Sequence, residues 1–214
     1  MSALPSLTAR HALFLDFDGT LTDIAAQPHA VQVPAGLTAT LAALERLLGG
    51  ALAIVTGRLQ SDIDGFLALP GLPLASEHGA EFRLGGAHFP AAALPALAPV
   101  RQAAEQLAAR CPGLLVEAKR AGVALHFRQA PHLEPLCRET LERAMQGFTG
   151  LELLSGKCVY EVKPAGVHKG RAIAEFMRQP PFAGRIPLFA GDDVTDEAGF
   201  ATALELGGTA IKVG

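Results

Sequence analysis

Asp16 and Asp18 follow an apolar run, Ala12-Leu-Phe-Leu15, and are followed by Gly19, Thr20 and Thr22. The run reads as a buried strand, in which positions i and i+2 face the same way, so both carboxylates are expected to project together from its carboxyl end. Like charges that close repel unless a cation lies between them or one keeps its proton. Two chemistries stay open on this evidence: a divalent metal site, or acid and base roles divided between the pair. Gly19 lets the backbone turn away sharply, and Thr20 offers a hydroxyl and a backbone N–H beside the carboxylates. An Asp-x-Asp-Gly stretch is also an ordinary turn sequence, so the rest of the chain has to decide.

A second acidic cluster follows another apolar run: Ile186–Ala190 leads into Gly191-Asp192-Asp193-Val-Thr195-Asp196-Glu197. A helix N-terminus favours acids and would use one as a cap, but three aspartates in five residues exceed that need. Thr56 follows the apolar run Ala51–Val55, at the strand edge where open α/β sheets bind ligands. The chain has thirteen arginines and five lysines, and Lys157, Lys163 and Lys169 fall within thirteen residues. In a chain that otherwise uses Arg, a Lys can mark a need for a compact point charge instead of a planar fork.

These residues need elements to hold them at one edge. After the first strand, Leu37, Leu41, Leu44, Leu47 and Leu48 recur at helical spacing until Gly49-Gly50. The strand 51–55, a helix over 59–69 and a strand over 72–76 continue a βαβ alternation, which predicts a parallel sheet with helices on both faces. From Gly85-Gly86 the texture changes. A hairpin there, helices over 97–111 and 133–148, strands over 114–118 and 123–127, and strands 151–154 and 158–162 joined at Ser155-Gly156 read as a separate α+β unit. The alternation resumes with a helix to Arg178 and strands at 186–190 and 209–214. The expected fold is therefore α/β, a doubly wound, mostly parallel, Rossmann-like core from residues 1–84 and 163–214, with residues 85–162 inserted.

Composition bounds the rest. With 214 residues, 50% hydrophobic and 18% charged, the chain can bury a sizeable core. A net charge of −3 gives no footprint for nucleic acid. Cys111, Cys137 and Cys158 are odd in number and lack metal-ligand spacing. The first ten residues carry no sustained apolar segment, and no stretch is long enough to span a bilayer, so a cytoplasmic protein without signal peptide or membrane segment is expected.

Asp16-Phe-Asp18-Gly-Thr20-Leu21 after an apolar strand resembles the first motif of the haloacid dehalogenase superfamily of phosphotransferases. Thr56, Lys169 and Gly191-Asp192-Asp193-Val-Thr-Asp196 resemble the later motifs, in order. The resemblance implies that Asp16 is a nucleophile, Asp18 an acid/base, and Thr56 and Lys169 holders of phosphoryl oxygens. It also implies a Mg2+ ion held by Asp16, Asp192 and the backbone carbonyl of Asp18, with Asp193 and Asp196 fixing Lys169 and the waters on the metal.

Within that superfamily the chain resembles the trehalose-6-phosphate phosphatase family along nearly its whole length. The residues that carry this are Glu77-His78-Gly79-Ala80-Glu81, Leu125-His126-Phe127-Arg128, Ser155-Gly156-Lys157-Cys-Val-Tyr-Glu161-Val-Lys163-Pro164 and the second acidic cluster. The resemblance implies that residues 85–162 are a cap whose Lys157 and Glu161 bind glucose hydroxyls, with Thr20, Glu77 and Arg83 also at the substrate. His78, His126 and Arg128 are carried by the motifs without an assigned role. Lys157 and Glu161 lie four apart on an expected strand, so both are expected on one face, where a donor beside an acceptor suits a sugar. The expected partner is a small phosphorylated sugar, in trehalose biosynthesis, with no obligate protein partner. Another sugar-phosphate phosphatase or a phosphosugar mutase would share the motifs, and a non-catalytic sugar-phosphate sensor is expected to have lost Asp16 or Asp18.

Overall fold

The computed structural model describes residues 6–25, 27–90 and 96–214, without the side chains of 88–90. Residues 1–5, 26 and 91–95 lie outside it, and with them part of the readings made for the N-terminus and for the start of the inserted stretch. Among the described residues the chain runs β1 (His11–Leu15), α1 (Leu37–Leu47), β2 (Leu52–Val55), α2 (Gln60–Leu67), β3 (Leu74–Ser76), β4 (Glu81–Leu84) and β5 (Ala87–Pro90). It continues through α3 (Ala98–Arg110), β6 (Leu115–Ala118), β7 (Val123–His126), α4 (Glu134–Ala144), β8 (Leu151–Gly156) and β9 (Val159–Pro164). It ends with α5 (Lys169–Met177), β10 (Ile186–Gly191), α6 (Glu197–Glu205) and β11 (Thr209–Lys212).

The chain divides into two compact units: Met1–Ala91 with His168–Asp192 and Asp196–Gly214, and Ala92–Val167 with Asp193–Thr195. The first holds a sheet in the order β11-β10-β1-β2-β3-β4-β5. Its strands from β11 to β3 are parallel, and β4 and β5 complete it as an antiparallel hairpin. Parallel strands covered on both faces read as continuous apolar runs, and Ala12 to Leu15 and Leu52 to Val55 are buried throughout. The strand order reverses at β1: α1 carries the chain to β2 on one side, while β10 lies on the other. Leu15 stands in register with Ala190, and Asp16 and Asp192 are the first residues beyond the two strands. The reversal therefore brings the two acidic clusters to the crevice where sheets of this kind bind ligands.

The core fixes the helix that supplies Lys169. Phe14 of β1 lies 5.4 Å from Phe182 and 5.9 Å from Phe176 of α5, ring centre to ring centre. Each such burial contributes about 1.5–3 kcal/mol relative to exposure. Gly170 lets α5 approach α6 closely, because a Cβ there would overlap the carbonyl of Ala198.

The second unit is an antiparallel sheet in the order β6-β7-β9-β8. One face, with Val123, Leu125, Tyr160 and Val162, packs with Val100 and Leu107 of α3 and Cys137 and Leu141 of α4. Among the described residues no helix is long and apolar enough to cross a membrane.

The structure corrects three expectations. The Gly85-Gly86 hairpin pairs Leu74 with Arg83, so it extends the large sheet and does not begin the second unit. At the other boundary, Lys163 and Pro164 belong to β9, paired with Glu152 and Leu151, and the first unit resumes at His168. The β8–β9 strands run through Gly156 and from Val159, which leaves Lys157 and Cys158 as the turn, with Cys158 at φ 59°. Lys157 is thus not on a strand face with Glu161.

Candidate active site

The chain beyond β1 places Asp16 in an almost closed environment, 4% exposed. Its backbone N–H donates to the carbonyl of Ala190 at 2.9 Å, which ties it to β10. Lys169, the first residue of α5, donates through Nζ to Asp16 Oδ1 at 2.6 Å and to Asp196 Oδ1 at 2.7 Å. Thr20 Oγ1 donates to the other oxygen, Asp16 Oδ2, at 3.3 Å. Asp196 in turn accepts the Asp192 N–H at 3.1 Å. Gly19, at φ 85°, makes room for this, since a Cβ there would overlap the Asp192 carboxylate.

Burial raises the Asp16 carboxyl from 3.8 to about 6, against the opposing pull of the Lys169 charge. Burial works against the Lys169 ammonium too, but the charges of Asp16 and Asp196 outweigh it and raise its pKa. One oxygen from each of Asp16, Asp192 and Asp196 lies within 4.8 Å of the others. Oxygen donors of this kind suit a hard divalent cation. The three carboxylates, with one buried ammonium beside two of them, fit such an ion.

Asp18 has different company. Arg58 donates through Nε to Asp18 Oδ2 at 2.6 Å and through Nη2 to Oδ1 at 2.7 Å. The guanidinium also donates to the carbonyl of Pro28 at 2.8 Å and lies over the rings of Phe17 and Phe66, at 5.7 and 5.2 Å. Asp18 therefore gives its carboxylate to Arg58, and Asp196, expected to fix Lys169 and the waters on the metal, has a carboxylate oxygen within the same group as Asp16 and Asp192. Asp18's expected contribution as a ligand is through its backbone carbonyl, which this arrangement leaves aside.

Thr56 follows β2, whose Ile54 is in register with Leu15, so it stands at the same sheet edge as Asp16. Its Oγ1 accepts the Arg58 N–H at 3.2 Å. Arg58 itself was given no role by sequence reasoning. The available signal was an arginine two residues beyond the strand-end hydroxyl, in Thr56-Gly57-Arg58.

Arg83 and Glu77, expected at the substrate, are both buried in the first unit. Arg83 donates through Nη1 to Asp64 at 2.6 Å and through Nε to the Leu72 carbonyl at 3.0 Å, so it ties β4 to α2 and to the entry of β3. The Glu77 side chain is 2% exposed. Asp193 groups with the second unit, and its Oδ1 accepts the Val194 N–H at 2.7 Å.

In the second unit Glu117, Ala124 and Glu161 form one cross-strand row on the face opposite α3 and α4. Lys119 donates to Glu161 at 2.5 Å, and His126 pairs with Glu117 at 2.8 Å. Burial acts to raise the Glu117 carboxyl, but the His126 hydrogen bond and the Lys119 charge lower it overall. Arg128 donates to the Lys157 carbonyl at 3.0 Å, and Lys163 pairs with Glu152. Neither Lys119 nor Glu117 was singled out from sequence, since their pairing depends on strand register.

The profile of a family described as trehalose-phosphatase matches residues 14–214. Trehalose-6-phosphate phosphatase of Escherichia coli (strain K12) is 42% identical over 222 residues, covering 100% of this chain and 81% of its own. A probable trehalose-phosphate phosphatase of Sinorhizobium fredii is 45% identical over 220 residues, covering 100% and 82%. A solved structure of a trehalose-6-phosphate phosphatase related protein superposes with a TM-score of 0.81 at 30% identity, over 94% of this chain and 86% of that one. A haloacid dehalogenase-like hydrolase from Bacteroides thetaiotaomicron shares the fold, with a TM-score of 0.63 at 14% identity over 90% and 84%.

Proposed function

The chain belongs to the trehalose-phosphatase family, and from that premise we propose that it hydrolyses trehalose 6-phosphate to trehalose and phosphate, Mg2+-dependently, through an aspartyl phosphate on Asp16. The observation that carries this reading is the buried carboxylate of Asp16, held by Lys169 at 2.6 Å and flanked by Asp192 and Asp196.

A phosphomonoester is an anion, and its reaction with a carboxylate brings like charges together, so catalysis is positioning plus neutralisation. Asp16 attacks phosphorus, the bond from phosphorus to the sugar oxygen breaks, and Asp18 gives that oxygen its proton. Water then attacks the same phosphorus, leaves its proton on Asp18, and the bond to Asp16 breaks. Thr56 and Lys169 hold phosphoryl oxygens, while Arg58 sets the plane of the Asp18 carboxylate. Mg2+, held by Asp16, Asp192 and Asp196, would supply further positive charge to the phosphoryl group. In the second unit, which we read as a cap for substrate recognition, Glu161 and Lys157 bind hydroxyls of the sugar. A cytoplasmic setting belongs to the same reading, supported by three cysteines that are all free.

Phosphate release is measured from trehalose 6-phosphate, glucose 6-phosphate and other sugar phosphates, with Mg2+ and with chelator. The reading expects trehalose 6-phosphate to give the highest kcat/KM, and chelator to abolish turnover. A preference for another sugar phosphate, or transfer to a second position of the sugar, overturns the substrate and leaves the chemistry. Release from none of them overturns both.

A further inference from the structure

Three consecutive residues, Glu77, His78 and Gly79, have left-handed backbones, at φ 46°, 61° and 102°. Two of them carry side chains, and both are buried. A left-handed non-glycine residue is strained and persists only where surrounding contacts over-determine it. Here those contacts lead to the site. The Glu77 N–H donates to the Arg58 carbonyl at 3.0 Å and the His78 N–H to the Thr56 carbonyl at 2.8 Å. Between those two carbonyls lies Gly57, and a Cβ on it would stand 2.6 Å from Cε1 and Nε2 of the His78 imidazole. On its other side the loop rests on the first turn of α5. A Cβ on Gly79 would be 2.9 Å from the Ala172 Cβ and 3.6 Å from the His168 carbonyl.

We propose that Glu77-His78-Gly79 is a bracket that sets Thr56-Gly57-Arg58 against the start of α5, with His78 as a positioning residue whose ring seats on Gly57. The loop grips by backbone donors, which demand the left-handed turn, and by one flat ring, which demands glycine at position 57. Its product is a fixed relation between the Thr56 hydroxyl, the Arg58 fork on Asp18, and the Lys169 ammonium at the head of α5. The inference rests on the phosphatase reading for what those three groups do. A misplacement of about 1 Å in such a set lowers the rate about a hundredfold while leaving most ground-state binding in place.

The test is a compensation. In the full chain, Gly57→Ala adds a methyl where the ring sits, and is expected to lower kcat at least tenfold on both trehalose 6-phosphate and p-nitrophenyl phosphate, with KM within about threefold. His78→Gly vacates the space, keeps the left-handed backbone, and alone is also expected to lower kcat. The double variant lets the new methyl fill the vacated space, and should be faster than either single variant when each rate is referred to the folded fraction of that protein. Gly57→Ala at the wild-type rate, or a double variant no faster than Gly57→Ala, overturns the bracket. If Gly57→Ala does not fold, His78→Asn decides, since Asn tolerates the left-handed region and keeps the N–H but lacks the ring. A fall in kcat with unchanged KM and melting temperature supports the bracket, and the wild-type kcat contradicts it. The wild-type rate itself tests the phosphatase reading, so the two failures are distinguishable.

Discussion

Arg58 holds Asp18 by both carboxylate oxygens, at 2.6 and 2.7 Å, from a guanidinium that lies over two aromatic rings. A fork of this kind fixes a plane as well as a charge, and a lysine cannot reproduce it. Arg58→Ala is expected to lower kcat at least tenfold with little change in KM, and Arg58→Lys to recover little of it. In the Asp18→Asn background, removing Arg58 should cost little more, because the two residues act as one unit. Steady-state kinetics on the four proteins checks this, and additive losses would count against a shared role.

The Asp16 carboxyl, raised by burial to about 6 from 3.8, also makes a statement about stability. The folded protein keeps this proton to higher pH than the unfolded chain. The group's contribution to stability is therefore fully present below the unfolded value and is lost as pH rises through about 6. Without metal, wild type is expected to lose melting temperature relative to Asp16→Asn between about pH 4 and 7. Mg2+ should restore wild type above that range and do little for the variant. Parallel melting curves across pH, with and without Mg2+, would contradict the assignment.

Lys169 stands between two buried carboxylates, so its removal leaves like charges facing one another. Lys169→Ala is expected to lower kcat by orders of magnitude more than it raises KM, since its charge counts most where phosphoryl charge is transferred. Loss confined to KM would assign it to ground-state binding.

The large sheet was legible because strands covered on both faces leave continuous apolar runs, and the acidic clusters that follow β1 and β10 mark its ligand edge. What stayed hidden depends on pairing across the chain. Arg58 and Asp18 are forty residues apart, and no local pattern joins them. A Gly-Gly hairpin looks the same whichever sheet it extends, so its second strand, β5, read as part of the inserted stretch. The Lys157 and Glu161 spacing suggested one strand face because the turn at Lys157-Cys158 uses no glycine, although Cys158 takes the left-handed backbone where glycine is favoured. The resemblance implies Arg83 at the substrate, and its pairing with Asp64, which lies on another element, is not legible in the sequence.

Glu161 tests the substrate reading. Its carboxylate is buried with Lys119, and Glu161→Gln keeps shape while removing charge. If Glu161 grips a sugar hydroxyl, the variant should lose far more kcat/KM on trehalose 6-phosphate than on p-nitrophenyl phosphate, which has no sugar to orient. Equal losses on both, tracking a lower melting temperature, would assign Glu161 to the stability of its sheet.

The most direct test of the whole account is phosphate release from trehalose 6-phosphate by Asp16→Asn beside wild type, in Mg2+, with folding of both followed by melting. The amide is nearly isosteric with the carboxylate but is no nucleophile. The account predicts turnover by wild type and a loss of at least about a thousandfold in a variant that melts cooperatively. A folded Asp16→Asn protein that keeps a tenth of the wild-type rate would contradict it.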